Sequence, residues 1–282
     1  MSFAWVVTAS GANEGAAAPR VVSLAPSLTA ILVALDAADI LVGIDDVSSR
    51  QQPSLADLPK VGGLFSPSLE AVVALQPGLV VLVPAVEQRD LHRRLEALGI
   101  PVARFENVRF DQVLENIERL GALVGRSREA RVRIGEIKKV REELAAVSSG
   151  RARPRVVVVL QRDPLFVVGS GSFVEEMLRV VGADNVASGF EDAYPRVSLE
   201  WLLESAPEVL IDVEPNAGDA TRFWSRWPAL PAVANGRVLP LEPELVTLPG
   251  PGLDVGMQAL ALAIFGDGAA GSGSDAEAVR EP

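Results

Sequence analysis

No cysteine occurs in the 282 residues, and there is a single histidine, His92, and a single tyrosine, Tyr194. Without thiols there is no disulfide framework, thiolate metal site, iron–sulfur cluster or cysteine nucleophile. No cysteine is present for a lipobox either. One histidine cannot build a His-rich zinc or manganese site, and a His-centred triad would have to use His92. No stretch reaches the ~20 apolar residues of a membrane-spanning helix. Positive charge is also short: 26 basic against 37 acidic side chains leave a formal net charge of −11. A surface of that sign repels phosphate backbones and argues against nucleic acid as a partner. What is there suffices for a folded chain. Hydrophobic residues at 49% supply a core, and 20 prolines with 24 glycines mark many short connections.

The apolar pattern alternates strand and helix. Arg20 to Leu24 reads as a buried strand, and Ser27 is expected to cap a helix running to Leu35. Ile40 to Ile44 is a second strand. Ser68 caps a helix that ends near Gln76-Pro77-Gly78, and Leu79 to Val83 is an apolar run suited to a parallel strand covered on both faces. Glu87 to Leu98 is an amphipathic helix stopped by Gly99, and Pro101 to Phe105 returns as a strand. From Phe110 to Val147 the chain is helical, broken once at Gly125 and restarted at Ser127. The second piece is rich in Arg, Glu, Lys and Ala and makes one helix of about twenty residues, ~30 Å long. Strands at Arg155–Leu160, Glu208–Asp212 and Arg237–Leu241 then alternate with helices at Ser172–Val181, Ser198–Ser205, Asp219–Arg226 and Leu253–Phe265.

This pattern predicts an α/β fold of two Rossmann-like lobes, residues 19–125 and 151–265, joined by a backbone helix over 126–150. Residues 266–282, rich in Gly, Ala, Ser and Asp, are expected to be a disordered tail. Residues 1–18 hold a short apolar run, Phe3 to Ala9, and Ala16-Ala17-Ala18 before Pro19. They read as a remnant of an export signal, the alternative being a disordered extension.

The lobes share a segment. Residues 68–82 read SLEAVVALQPGLVVL and residues 198–212 read SLEWLLESAPEVLID. Each has Ser-Leu-Glu, six residues, Pro, one residue and an apolar strand, which suggests two halves related by pseudo-symmetry. The plain alternative is a generic capped helix leading into a strand.

Four stretches carry a resemblance: Arg20-Val21-Val22-Ser23-Leu24-Ala25-Pro26-Ser27, Leu58-Pro59-Lys60-Val61-Gly62-Gly63, Pro67-Ser68-Leu69-Glu70 with Leu75-Gln76-Pro77, and Tyr194-Pro195-Arg196-Val197-Ser198-Leu199-Glu200. Together they resemble the helical-backbone class of periplasmic binding proteins serving ABC importers of cobalamin, siderophores and haem, and look most like the cobalamin branch. The resemblance implies capture of a large metal chelate in an inter-lobe cleft. The protein would be a monomer in the periplasm or another extracytoplasmic space, with no catalysis and no cofactor of its own. It implies that Glu70 and Glu200 dock on the importer permease; each also follows a Ser cap in a first helical turn, where it complements the helix dipole. It further implies ligand contacts from Leu64, Phe65, Phe166, Tyr194 and Glu244, with Arg50 as a spare cation for an anionic chelate. Phe166 could equally be core and Tyr194 a surface loop aromatic.

The sequence departs from that branch in three places. Leu64 and Pro84 stand where aromatics are usual, the loop Asp45 to Arg50 lacks a tyrosine, and Thr247-Leu248 precede Pro249-Gly250-Pro251 without a basic residue. Siderophore or haem binding on the same fold therefore stays open. His92 reads as a solvent-facing helix residue, and Trp224 and Trp227 as packing aromatics. Rival classes are a ligand sensor of the same fold and an enzyme on two Rossmann-like lobes. For the enzyme, Gly169-Ser170-Gly171-Ser172 before a helix could hold a phosphate, but Val174 and Glu175 do not complete a dinucleotide fingerprint. No Walker or G-x-S-x-G motif occurs, and Asp45-Asp46 lack metal-ligand partners.

Overall fold

The computed structural model describes residues 19–84, 89–214 and 219–266. The expectations for residues 1–18 and for the tail beyond 266 lie outside them.

The first lobe contains β1 (Val21–Ser23), α1 (Pro26–Ala34), β2 (Leu41–Ile44) and α2 (Asp46–Gln51). The short hairpin of β3 (Gly62–Gly63) and β4 (Ser66–Pro67) follows, then α3 (Leu69–Ala74), β5 (Leu79–Leu82), α4 (Arg89–Ala97), β6 (Val102–Arg104) and α5 (Phe110–Leu123). Next comes α6 (Ser127–Ser148), 22 residues long. The second lobe contains β7 (Arg155–Arg162), β8 (Leu165–Val167), α7 (Phe173–Val181), β9 (Asp184–Asn185), α8 (Leu199–Ser205) and β10 (Val209–Asp212). It ends with α9 (Ala220–Trp224), α10 (Pro231–Ala234), β11 (Val238–Pro240), α11 (Pro243–Thr247) and α12 (Leu253–Phe265).

There are two main sheets, not one. The first has the parallel order β2-β1-β5-β6. In the second, β9, β7, β10 and β11 repeat that parallel arrangement, and β8 adds one antiparallel strand to the end of β7. The matched sequence segments become matched structure. Ser68 Oγ accepts from the amide of Ala71 at 3.2 Å, and Ser198 Oγ from that of Trp201 at 3.2 Å. Each helix then ends in a left-handed residue directly before proline, Gln76 at φ 47° and Ala206 at φ 42°. The β-branched runs are buried as parallel strands require: Val21, Val22 and Val156 to Val159 have no exposed surface.

The helix starts follow the sequence with one correction. Ser172 and Asp219 cap α7 and α9 by accepting from the amides of Glu175 and Arg222. Ser27 does not cap α1: Ala25 occupies the N-cap, Pro26 supplies the first turn, and Ser27 is 3% exposed inside the helix. Proline's fixed φ and missing N–H suit that first position and displace the serine by two residues. α7 stops at Gly182, whose φ of 86° is a left-handed C-cap that a side chain would strain.

α6 bridges the lobes. Ala130, Ile137 and Leu144, seven residues apart, form its buried stripe. It packs against α5 of the first lobe and against α7 and α12 of the second. Arg133 on α6 donates to the Pro251 carbonyl at 2.7 and 2.9 Å and pairs with Asp254 of α12. Other ties join the lobes without α6. The amide of Phe173 donates to the Val108 carbonyl at 2.7 Å, and a side chain on Gly250 would lie 3.5 Å from the Ser27 carbonyl. One hydrophobic cluster runs from β1 and α1 through α6 to α12. A strut gripping both lobes limits hinge closure. Solution scattering is therefore expected to give nearly the same radius of gyration with and without ligand; a large compaction on loading contradicts the strut. Among the described residues no helix is long and apolar enough to cross a membrane.

Candidate functional site

In open parallel sheets, ligands bind beyond the carboxyl ends of the strands. On the first lobe this edge holds Leu24-Ala25 after β1, Asp45 after β2, Val83-Pro84 after β5 and Phe105-Glu106 after β6. On the second it holds Asp163-Pro164 after β7, Val213-Glu214 after β10 and Leu241-Glu242 after β11. A helix that precedes a parallel strand runs back along it, so the N-termini of α3 and α8 lie at these same edges.

Each edge is stiffened by a buried polar cluster that the sequence did not announce. On the first lobe Asp45 is fully buried and caps α2, accepting from the amides of Val47 and Ser48 at 2.9 Å. Its other oxygen takes the Ser48 hydroxyl, which lies 2.9 Å from that of Thr29, itself 2.8 Å from that of Ser23. This chain ties β1, α1 and α2 together. The segment read as a loop from Asp45 to Arg50 is thus a capped helix. On the second lobe Arg162, at the end of β7, sits between Asp212 and Glu214 at 2.9 and 3.5 Å. Side-chain exposures of 5% for Arg162 and 1% for Asp212 make this a desolvated pair. The Trp224 indole also donates to Asp212, and the Arg162 guanidinium lies 4.5 Å from the Phe223 ring centroid.

The ligand candidates fall into one group per lobe. Leu64 and Phe65 form the turn of the β3–β4 hairpin, Leu64 packed on the first-lobe core and Phe65 64% exposed. Arg50 is exposed in the last turn of α2, which contacts β3. On the second lobe half-buried Phe166 lies on β8 opposite Arg196. The Tyr194 loop runs beside that strand, with Gly169 N donating to the Ala193 carbonyl and Val167 N to that of Pro195. Glu244 is exposed in the first turn of α11.

Burial pushes the Tyr194 phenol up to about 12. Tyr194 is the only tyrosine, so its titration can be read by phenolate absorbance without assignment. The midpoint is expected near 12 when folded, against ~10 unfolded. Between those values the folded chain holds the extra proton. Its stabilising share is therefore complete below pH ~10 and is lost as pH rises toward 12. A midpoint near 10 in the folded protein would contradict a packed Tyr194.

Glu70 and Glu200 have matching surroundings. Both are exposed, and each carboxyl is held below the usual range by its own backbone amide and by the Ser two residues earlier. Three other sites differ from sequence expectation or add to it. His92 is not solvent-facing: its side chain is 17% exposed, with Nε2 3.1 Å from Glu96, because α4 packs that face inward. Gly169 serves packing rather than phosphate, since a Cβ there would lie 2.2 Å from the Asp192 carbonyl under the Tyr194 loop. At the same helix start, Gly171 N is already taken by Glu175 at 2.6 Å. A cavity of about 810 Å³ lies on the flank between α5, α6, α7 and β9, away from the strand edges. Its arginines are largely paired, Arg141 and Arg179 with Glu176 and Arg153 with Asp184.

The periplasmic binding protein family matches residues 21–245, most of both lobes. The chain belongs to that family. This periplasmic binding protein is 27% identical over 233 residues to a vitamin B12-binding protein of Vibrio parahaemolyticus, covering 82% of this chain and 84% of the relative. It is 26% identical over 255 residues to an uncharacterized ABC transporter substrate-binding lipoprotein of Bacillus subtilis, covering 88% and 80%. Its fold matches the periplasmic heme-binding protein RhuT from Roseiflexus sp. RS-1 with a TM-score of 0.79 at 21% identity, over 90% of this chain and all of that one. Two lobes, separate sheets and a bridging helix are therefore the build of a known binding-protein fold.

Proposed function

We propose that this periplasmic binding protein captures a corrinoid such as vitamin B12 between its lobes and delivers it to the permease of an ABC importer. The observation that carries the reading is the pair Glu70 and Glu200: exposed acids in equivalent first turns of α3 and α8, each with its carboxyl held below the usual range by the same two causes. Such charges suit the steering and orientation of a partner. A macrocycle needs broad apolar surface with a few polar tips. Leu64 and Phe65 on one lobe and Phe166 and Tyr194 on the other supply the surface, and Glu244 and Arg50 the tips. The Vibrio relative supports a corrinoid and the Bacillus relative supports an ABC transporter. The protein acts by binding, as a monomer outside the cytoplasm, and uses no cofactor.

Haem is the second reading, favoured by the RhuT likeness. One feature weighs against it: the single histidine, His92, has its Nε2 3.1 Å from Glu96 on α4. Calorimetric titration with cyanocobalamin, haemin and a ferric siderophore tests the choice. Saturable one-to-one binding of cyanocobalamin is expected. Binding of haemin alone, with a Soret band shifted by an axial ligand, would replace the corrinoid by haem.

A further inference from the structure

We propose that α9 of the second lobe carries a further docking contact, a stacked arginine patch that takes an acidic segment of the importer permease and has no counterpart on the first lobe. The proposal rests on the reading of the protein as one that docks on a permease through Glu70 and Glu200. Two strand ends hold α9 at the carboxyl edge of the second sheet. The Trp224 indole donates to Asp212, the last residue of β10, and the Phe223 ring centroid lies 4.5 Å from the guanidinium of Arg162, the last residue of β7. α8, which bears Glu200, packs on the same face of that sheet: Leu202 of α8 and Trp224 of α9 share one hydrophobic cluster with Val157, Val159 and Leu210. Because α8 also begins at the carboxyl edge, Glu200 and the α9 patch belong to one surface.

The Arg226 guanidinium lies 4.3 Å from the Phe223 ring centroid and 4.6 Å from that of Trp227, and its Nε donates to the Phe223 carbonyl at 3.0 Å. Phe223 and Trp227 are half-buried, and Arg226 is exposed. These contacts hold the cation in one orientation and leave its outer N–H groups for a partner. Arg222 is exposed one turn earlier. Among the described residues neither arginine pairs with an acid, although the whole chain carries −11. Trp and Arg are the residue types that most often anchor protein interfaces, and a guanidinium matches a carboxylate through two parallel donors. The first lobe has no such patch. α4 follows β5 as α9 follows β10, but its Arg93 and Arg94 are both paired with Asp90, at 2.6 and 2.8 Å, and it contains no Phe, Tyr or Trp. Glu70 and Glu200 are alike and cannot tell one lobe from the other. The α9 patch can, and it thereby sets the orientation in which the protein sits on the permease.

The test measures binding to the cognate importer, held in phosphatidylcholine nanodiscs, for the wild type, for Arg222→Glu with Arg226→Glu, and for Glu70→Arg with Glu200→Arg. The α9 reversal is expected to weaken importer binding roughly tenfold at low salt and less at high salt, with cyanocobalamin affinity unchanged. Arg226→Lys keeps the charge, loses the planar fork and should weaken binding about threefold, which keeps the proposal testable should the double reversal not fold. Arg93→Gln with Arg94→Gln on α4 should have no effect; a loss equal to that of the α9 reversal would overturn the distinction between lobes. Wild-type binding by the α9 reversal, beside loss in the Glu70 and Glu200 reversal, overturns the patch and leaves the docking acids standing. Loss in the α9 reversal alone supports the patch and removes the role of the acids. Wild-type binding by both reversals overturns patch and acids together. Empty nanodiscs containing phosphatidylglycerol test the other occupant. If they bind the wild type and not the α9 reversal, while the importer binds both alike, the patch serves lipid and the proposal fails.

Discussion

Glu70→Arg combined with Glu200→Arg is expected to abolish uptake while cyanocobalamin affinity in solution stays unchanged. Both side chains are exposed in the first turns of α3 and α8, so reversal disturbs no packing. Ser68 and Ser198 still cap those helices through the amides of Ala71 and Trp201. What reverses is the sign presented to the permease on both sides of the cleft at once, and like charge juxtaposed across an interface costs several kcal/mol. Single reversals should give partial loss, because each lobe retains its partner's contact. The carboxyls titrate below the ordinary range, so docking should persist into mild acid and weaken only as pH falls through the lowered values. Unchanged uptake by the double variant would remove the docking role from both residues.

The second large effect is expected at Arg162. Replacing it with alanine leaves the Asp212 carboxylate, 1% exposed, with the Trp224 indole and no cation. Removing one partner of a buried pair costs about 3–5 kcal/mol, which for a chain of this size lowers Tm by roughly 6–15 °C. Arg162→Met with Asp212→Asn removes both charges and is expected to recover much of that loss. Thermal unfolding followed by tryptophan fluorescence reads the result directly, since Trp224 sits in the cluster. A shift of a degree or two for Arg162→Ala would mean that the pair is solvated and not structural. Because Arg162 closes β7 at the strand edge proposed to face the ligand, the same variant should also weaken ligand binding more than its stability loss alone explains.

Much of this architecture could be read from residues. Val-rich runs at 156–159 and 79–83 could be nothing but covered strands, and Ser68, Ser172 and Ser198 announced their helices. The shared Ser-Leu-Glu segments suggested matched halves, and the structure adds a left-handed residue before each proline. Other features were hidden for identifiable reasons. The helix after Asp45 is too short for apolar periodicity to show, although Asp45 itself is a good cap. The β3–β4 hairpin has strands of two residues each, below any alternation pattern. Ser27 was misplaced because Pro26 outranks it at the helix start. The Arg162–Asp212 pair joins positions fifty residues apart, so no local pattern reveals it. His92 was misjudged because one turn of α4 contains charged neighbours on both sides while its own face packs inward. The cleft candidates came from resemblance rather than from pattern, since a binding surface made of loops from two lobes has no period to read.

Hydrogen exchange of the protein alone and with bound cyanocobalamin tests the central claim most directly. The account predicts protection on both lobes together, in the hairpin around residues 62–67 and in the loops at 163–166 and 241–245, with the flank between α5 and α7 unaffected. Protection confined to one lobe, or centred on residues 171–188 beside the flank cavity, would contradict a guest held between the two sheets.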